Sequence, residues 1–162
     1  MHRFRVRGFA LAITVTVALA ACSSSSKAAP PPTSGAALTT VTAASSATVS
    51  ARSTHLGNVL VNRAGRTLYL YDKDAPGTSK CADACTTVWP PLAVSGTPTY
   101  GAGLRPTLFS TIARPDGTKQ LAVNGLPLYT YSGDLAPGDT SGQDLGDFFV
   151  AGANGKMIGH RS

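Results

Sequence analysis

Two stretches of this 162-residue chain carry most of its chemistry-bearing side chains. Residues 65–77 read Gly-Arg-Thr-Leu-Tyr-Leu-Tyr-Asp-Lys-Asp-Ala-Pro-Gly, and residues 125–138 read Gly-Leu-Pro-Leu-Tyr-Thr-Tyr-Ser-Gly-Asp-Leu-Ala-Pro-Gly. Each holds two alternating tyrosines, Tyr69 with Tyr71 and Tyr129 with Tyr131, and an aspartate five residues after the first, Asp74 or Asp134. A carboxylate there can accept a hydrogen bond from a phenol or from the N–H groups of the Pro-Gly turn that follows. The phenol rings can stack on a flat ligand. These six residues form the candidate binding surface. The plainer reading is a Tyr-Asp corner that holds the turn, with the rings packed under loops.

Cys81 and Cys85 form the second constellation. Spacing i, i+4 on a helical turn puts their Cα atoms about 6 Å apart, within disulfide reach. A loop that short gains about 2 kcal/mol from the bridge in the chain-entropy picture. A redox pair is the sharper alternative, but the spacing is not Cys-x-x-Cys and no βαβ pattern surrounds it. His55 and His160 would complete a Cys2His2 count, yet neither has ligand-like spacing, so no metal is expected. Asp134, Asp139, Asp144 and Asp147 fall in or beside a Gly-rich loop without the residue order of a calcium hand. Ser110 and Ser132 have no supporting His-Asp pairing, and no nucleophile elbow or phosphate-cradling glycine loop occurs. There is no Glu, and the aspartates read as turn residues. No catalytic residue and no cofactor are expected.

Charge divides by region. The net +6 includes Arg3, Arg5 and Arg7 at the start and Lys27 and Arg52 further on. From Thr54 onward nine basic residues face eight aspartates. No basic stripe interleaved with aromatics is left, which argues against nucleic acid as a partner. After the basic start, residues 9–20 are dominated by Ala, Val, Leu and Ile; twelve residues are short of the roughly 20 a spanning helix needs. That pattern reads as an export signal. It ends Leu19-Ala20-Ala21-Cys22, which resembles a bacterial lipobox. The resemblance implies a signal peptide over residues 1–21, cleavage before Cys22 and diacylglycerol on its sulfur. The alternative is an ordinary cleaved signal with an incidental cysteine. Two acyl chains hold a protein at a membrane where one holds it marginally. Residues 22–53, rich in Ser, Ala, Thr and Pro, then read as a disordered tether. The expected address is the cell envelope, extracytoplasmic and lipid-anchored. That compartment is oxidising, and with Cys22 lipidated the remaining pair favours a bridge.

Residues 54–162 must therefore position the tyrosines and aspartates. Period two prevails over 58–62, 67–72, 108–113, 120–124, 126–131, 148–151 and 156–158, short runs bounded by turn residues. Asn124-Gly125 predicts a type I′ hairpin, Asn154-Gly155 a second hairpin, and Arg114-Pro115-Asp116-Gly117 a third turn. A short helix is expected over 82–88, stopped by Pro90-Pro91. The fold class is all-β: compact antiparallel sheets from two divergent repeats, about 56–95 and 107–150, as a sandwich or small open barrel with one helical turn at the cysteines. Val61-Asn62 matches Val123-Asn124 upstream of each repeat. Alternation puts Leu68 and Leu70 on the core face and the tyrosines on the other.

The run Val59-Leu60-Val61-Asn62, Gly65-Arg66-Thr67-Leu68-Tyr69-Leu70-Tyr71-Asp72, Cys81-x3-Cys85 and Trp89-Pro90-Pro91-Leu92 resembles the bacterial secreted-repeat lipoproteins with the Tyr-x4-Asp motif. Arg114-x-Asp116-Gly117-x-x-Gln120, then Gly125-x-Pro127-Leu128-Tyr129, resembles the second copy. The resemblance implies duplication and export and no reaction. Its second copy often ends in Trp, where this chain has Phe148 and Phe149. The expected function is a membrane-anchored, non-catalytic envelope module that binds an unknown ligand or protein. The rival is a redox, metal or haem protein using Cys81 and Cys85 or Tyr and His ligands.

Overall fold

The structure, a computed structural model, describes residues 46–161. Alternating runs become strands, and the turn residues close them. β1 (Val49–Thr54) and β2 (Gly57–Asn62) form an antiparallel hairpin paired along its whole length. β3 (Tyr69–Tyr71) pairs antiparallel with β7 (Phe148–Val150). β4 (Phe109–Ala113), β5 (Lys119–Val123) and β6 (Leu126–Pro127) make a three-stranded antiparallel sheet. These are open sheets, with no closed barrel among the described residues. The one α-helix described, α1, covers Ala84–Val88, and a 3-10 turn covers Pro106–Leu108.

β1 corrects the tether boundary at residue 53. Its sequence is mostly small and polar, so it carries little strand signal of its own. Full-length pairing with β2 and the complete burial of Val49 order it instead. The expected runs at 67–72 and 126–131 are cut to Tyr69–Tyr71 and Leu126–Pro127, because the chain there changes partner: Thr67 bridges to Val61 and Tyr69 to Tyr129. The expected run at 156–158 is a single bridge, Ala151 to Met157.

The turns form where their residues require them. Asn124 and Gly125 both take positive φ, 49° and 81°, as a type I′ turn demands. Gly117 N–H bonds to the Arg114 carbonyl at 3.0 Å and Gly155 N–H to the Gly152 carbonyl at 2.8 Å. The first repeat turns through Gly65, whose N–H bonds to the Asn62 carbonyl at 2.8 Å. That loop is one residue longer than its counterpart, since Val61 pairs with Thr67 while Ala122 pairs with Pro127. The structural equivalent of Val61-Asn62 is therefore Ala122-Val123, one residue off the sequence match.

Each repeat is closed by a ring of three backbone bonds. In the first, Leu60 N–H bonds to Ala151, Ala151 N–H to Leu68 and Leu68 N–H to Leu60, at 2.8, 2.8 and 2.9 Å. In the second, Leu121 N–H bonds to Leu92, Leu92 N–H to Leu128 and Leu128 N–H to Leu121, at 2.9, 2.8 and 2.9 Å. Ala151 and Leu92 thus hold equivalent places. Each repeat is completed by the segment that follows the other repeat's hairpin. One core cluster gathers Leu60, Leu68, Leu70, Leu121, Val123 and Leu128. A second gathers Val59, Val61, Tyr69, Trp89, Tyr129 and Phe148. Both faces of the repeated strands are therefore covered, not the leucine face alone.

Candidate functional site

Alternation delivers Tyr69 and Tyr129 to the centre, where their backbones meet. Tyr69 N–H donates to the Tyr129 carbonyl at 2.8 Å, and Tyr129 N–H to the Tyr69 carbonyl at 3.0 Å. Equivalent residues pairing with each other mark a pseudo-twofold axis between them. The side chains follow it. Tyr69 hydroxyl donates to Asp134 Oδ2 at 2.8 Å, and Tyr129 hydroxyl to Asp74 Oδ2 at 2.7 Å. The Tyr-Asp corner within a repeat does not form: each phenol reaches the carboxylate of the other repeat. The remaining oxygens serve the loops behind them. Asp74 Oδ1 accepts Lys80 N–H at 2.7 Å and Asp134 Oδ1 accepts Ser141 N–H at 3.0 Å. The Pro-Gly turns cross over as well. Gly77 N–H bonds to Gly125 and Gly138 N–H to Gly65, both at 2.9 Å. Gly65 has φ +78°, and a Cβ there would lie 2.9 Å from Pro137 Cβ; at Gly125, φ +81°, it would lie 3.2 Å from Pro76 Cβ. A side chain at either position would strain the backbone and separate the repeats.

Burial sets the electrostatics. Asp134 is fully buried and Asp74 half-buried, and desolvation pushes both carboxyls above the ordinary aspartate range. Hydrogen bonds from Tyr69 and Ser141 N–H, or from Lys80 N–H and Tyr129, oppose that rise. Both phenols are pushed well above the ordinary tyrosine value, chiefly by burial. Their carboxylate partners push the same way, because an ionised phenol beside a carboxylate is doubly disfavoured. The phenols hold their protons and donate them.

Arg114, which opens the turn at Gly117, is buried at the second junction. Its Nη1 donates to Ser79 Oγ at 3.0 Å and Gln120 Oε1 at 2.7 Å, and its Nη2 to the Cys81 carbonyl at 3.0 Å. Ser79 Oγ lies 2.7 Å from the Tyr129 hydroxyl, and Gln120 Nε2 donates to the Leu128 carbonyl at 2.8 Å. The available signal was register: Arg114 follows Ile112 by two, on the inward side of the strand.

The four tyrosines are brought together, but as interior and not as an open face. Tyr69 and Tyr129 are 0 % exposed; Tyr71 and Tyr131 are half-buried beside them. Trp89 stacks on Phe148 with centroids 3.9 Å apart, Tyr71 stacks on the same ring at 4.3 Å, and Tyr69 meets Trp89 edge-on at 5.3 Å. Phe148 is thus core, while Phe149 turns toward His160. Cys81 and Cys85 are bridged, with Cα atoms 5.3 Å apart. The bridge sits at the start of α1, whose last turn delivers Trp89 to this cluster, with Trp89 N–H on the Cys85 carbonyl at 2.8 Å.

The remaining candidates disperse. His160 Nε2 lies 2.9 Å from Asp72 Oδ1, and His55 is exposed. Asp139 caps the loop by accepting Leu135 and Ala136 N–H, and Asp147 lies 3.8 Å from Lys73. Among the described residues no three His, Cys, Asp or Glu converge as metal ligands. Ser110 and Ser132 are exposed. Cys22 lies outside the described residues. A family model described as a secreted repeat of unknown function matches residues 50–93 and again 110–150, together more than half of the chain. No curated protein and no solved structure matches.

Proposed function

The chain belongs to this family of secreted repeats, and from that premise we propose a lipid-anchored, extracytoplasmic, non-catalytic module that binds a ligand or partner in the cell envelope. The observation that supports it is how fully the chemistry-bearing groups are committed. Both oxygens of Asp74 and of Asp134 accept hydrogen bonds, both central phenols donate, and both domain cysteines are bridged. Acid–base or nucleophilic work needs a group that a substrate can reach, and both central phenols and Asp134 are buried. The Tyr-Asp motif instead joins the two halves. Contact with a ligand falls to the periphery, where Tyr71 and Tyr131 keep part of their surface and the loops are open.

Anchoring rests on the Leu19-Ala20-Ala21-Cys22 sequence. Cys22→Ser moves the protein from the membrane fraction to the soluble extracytoplasmic fraction, and mass spectrometry of the wild type finds acyl chains on Cys22. Equal fractionation of the two forms sinks the anchor.

A further inference from the structure

Pseudo-symmetry shows one place where the repeats differ in a way that leaves room. Beside the second repeat's hairpin, the chain after Ala151 turns back at Gly155 and closes on Asn124. Asn124 Nδ2 donates to the Gly155 carbonyl at 2.9 Å, and a Cβ at Gly155 would lie 2.5 Å from that nitrogen. Nothing fits between them. Beside the first repeat's longer hairpin loop, the equivalent chain after Leu92 does not turn back. It runs on to Thr99, which pairs with Thr48: Thr48 N–H to the Thr99 carbonyl at 2.8 Å, Thr99 N–H to Thr48 Oγ1 at 3.0 Å. A cleft of about 370 Å³ is left between these walls.

Its lining has one charge and no acid. Arg63, exposed on the loop, is the cation, and it makes no ion pair among the described residues. Asn62 spends its side-chain oxygen on Ala64 and Arg66 N–H, which leaves the amide NH2 to serve a ligand. Ser95 adds a hydroxyl, while Leu92, Val94 and Pro98 supply apolar wall. A guanidinium forks onto a carboxylate in bidentate fashion, and one positive charge balances one carboxylate. A cleft of this size, with polar groups on one part of its wall and apolar side chains on the rest, suits a small amphipathic organic molecule. The geometry points to a binding site for a small carboxylate with a short apolar body, held head-first by Arg63. It rests on the binding-module reading and does not depend on the lipid anchor.

The test titrates the full-length, ¹⁵N-labelled chain in detergent with sodium pentanoate, pentanamide and inorganic phosphate. Pentanoate produces saturable amide shifts at Thr48, Arg63 and Ser95, and pentanamide binds at least tenfold more weakly. Arg63→Gln weakens pentanoate at least tenfold, Arg63→Lys restores part of it, and Lys156→Gln in the closed counterpart changes nothing. Ser95→Trp, which fills the cleft and keeps Arg63, also blocks binding. Equal affinity for pentanoate and pentanamide, equal displacement by phosphate, or no saturable shift overturns the site. Shifts as large at Gly155 as at Ser95 overturn it too, while leaving a binding module with its site elsewhere.

Discussion

The Tyr69/Asp134 and Tyr129/Asp74 junctions share one geometry and meet their charge differently. Asp134 is sealed, with a phenol and one backbone N–H as its partners. Asp74 is half-buried, and its phenol continues through Ser79 to the buried guanidinium of Arg114. Arg66 acts on Asp134 and Arg114 on Asp74 through space, each lowering the carboxyl against the larger effect of burial. A duplicated device therefore tolerates divergence in what surrounds it, provided that each carboxylate keeps two donors. The contact itself stays reciprocal because both partners lie across the same axis.

The largest effect that would break the comparison is loss of a carboxylate. Asp134→Ala leaves the buried Tyr69 hydroxyl and the part-buried Ser141 N–H unmet and should cost about 3 kcal/mol in urea unfolding; Asp74→Ala, where water can enter, should cost about 1.5 kcal/mol. Equal costs would remove the distinction between sealed and wet junctions. Gly65→Ala should cost about 2 kcal/mol and Gly125→Ala about 1 kcal/mol, both from positive φ, with the closer Pro137 making the first worse. The bridge comes next. Cys81→Ser with Cys85→Ser should lower stability by about 2 kcal/mol, and a reductant should do the same to the wild type. Unchanged stability on reduction would favour the redox rival.

A double-mutant cycle sharpens the crossover itself. Tyr69→Phe with Asp134→Asn should show about 1 kcal/mol of coupling, and Tyr69→Phe with Asp74→Asn almost none. Coupling within a repeat would refute the exchange. The pH effect is the gentlest. Both central phenols have folded values above the ordinary one, so their contribution is complete below about pH 10 and is lost as pH rises from there. The two aspartates, also raised, contribute most below 3.8 and lose that contribution as pH rises through their folded values. Chemical denaturation at pH 8 and at about pH 11 should show the alkaline loss, and Tyr→Phe at 69 and 129 should flatten it.

Much of this was legible in the residues. Alternation located β2, β4, β5 and β7 to within a residue or so, and Asn124-Gly125 set its turn because two successive positive φ values suit few residue pairs. The Cys81/Cys85 bridge followed from spacing. β1 was not legible, because its order comes from its partner strand. Nor was Arg114: a lone charge beside a turn reads as surface until register places it inward.

By itself the sequence determined the strand period, the turns and the pairing of the cysteines, since each depends on residues a few positions apart, and it displayed the duplication as one motif written twice. Only the tertiary structure decided which tyrosine meets which aspartate. Tyr69 lies five residues from Asp74 and sixty-five from Asp134, yet it bonds the farther one. Docking across a pseudo-twofold axis carries each phenol to the opposite half, and no local spacing encodes that choice.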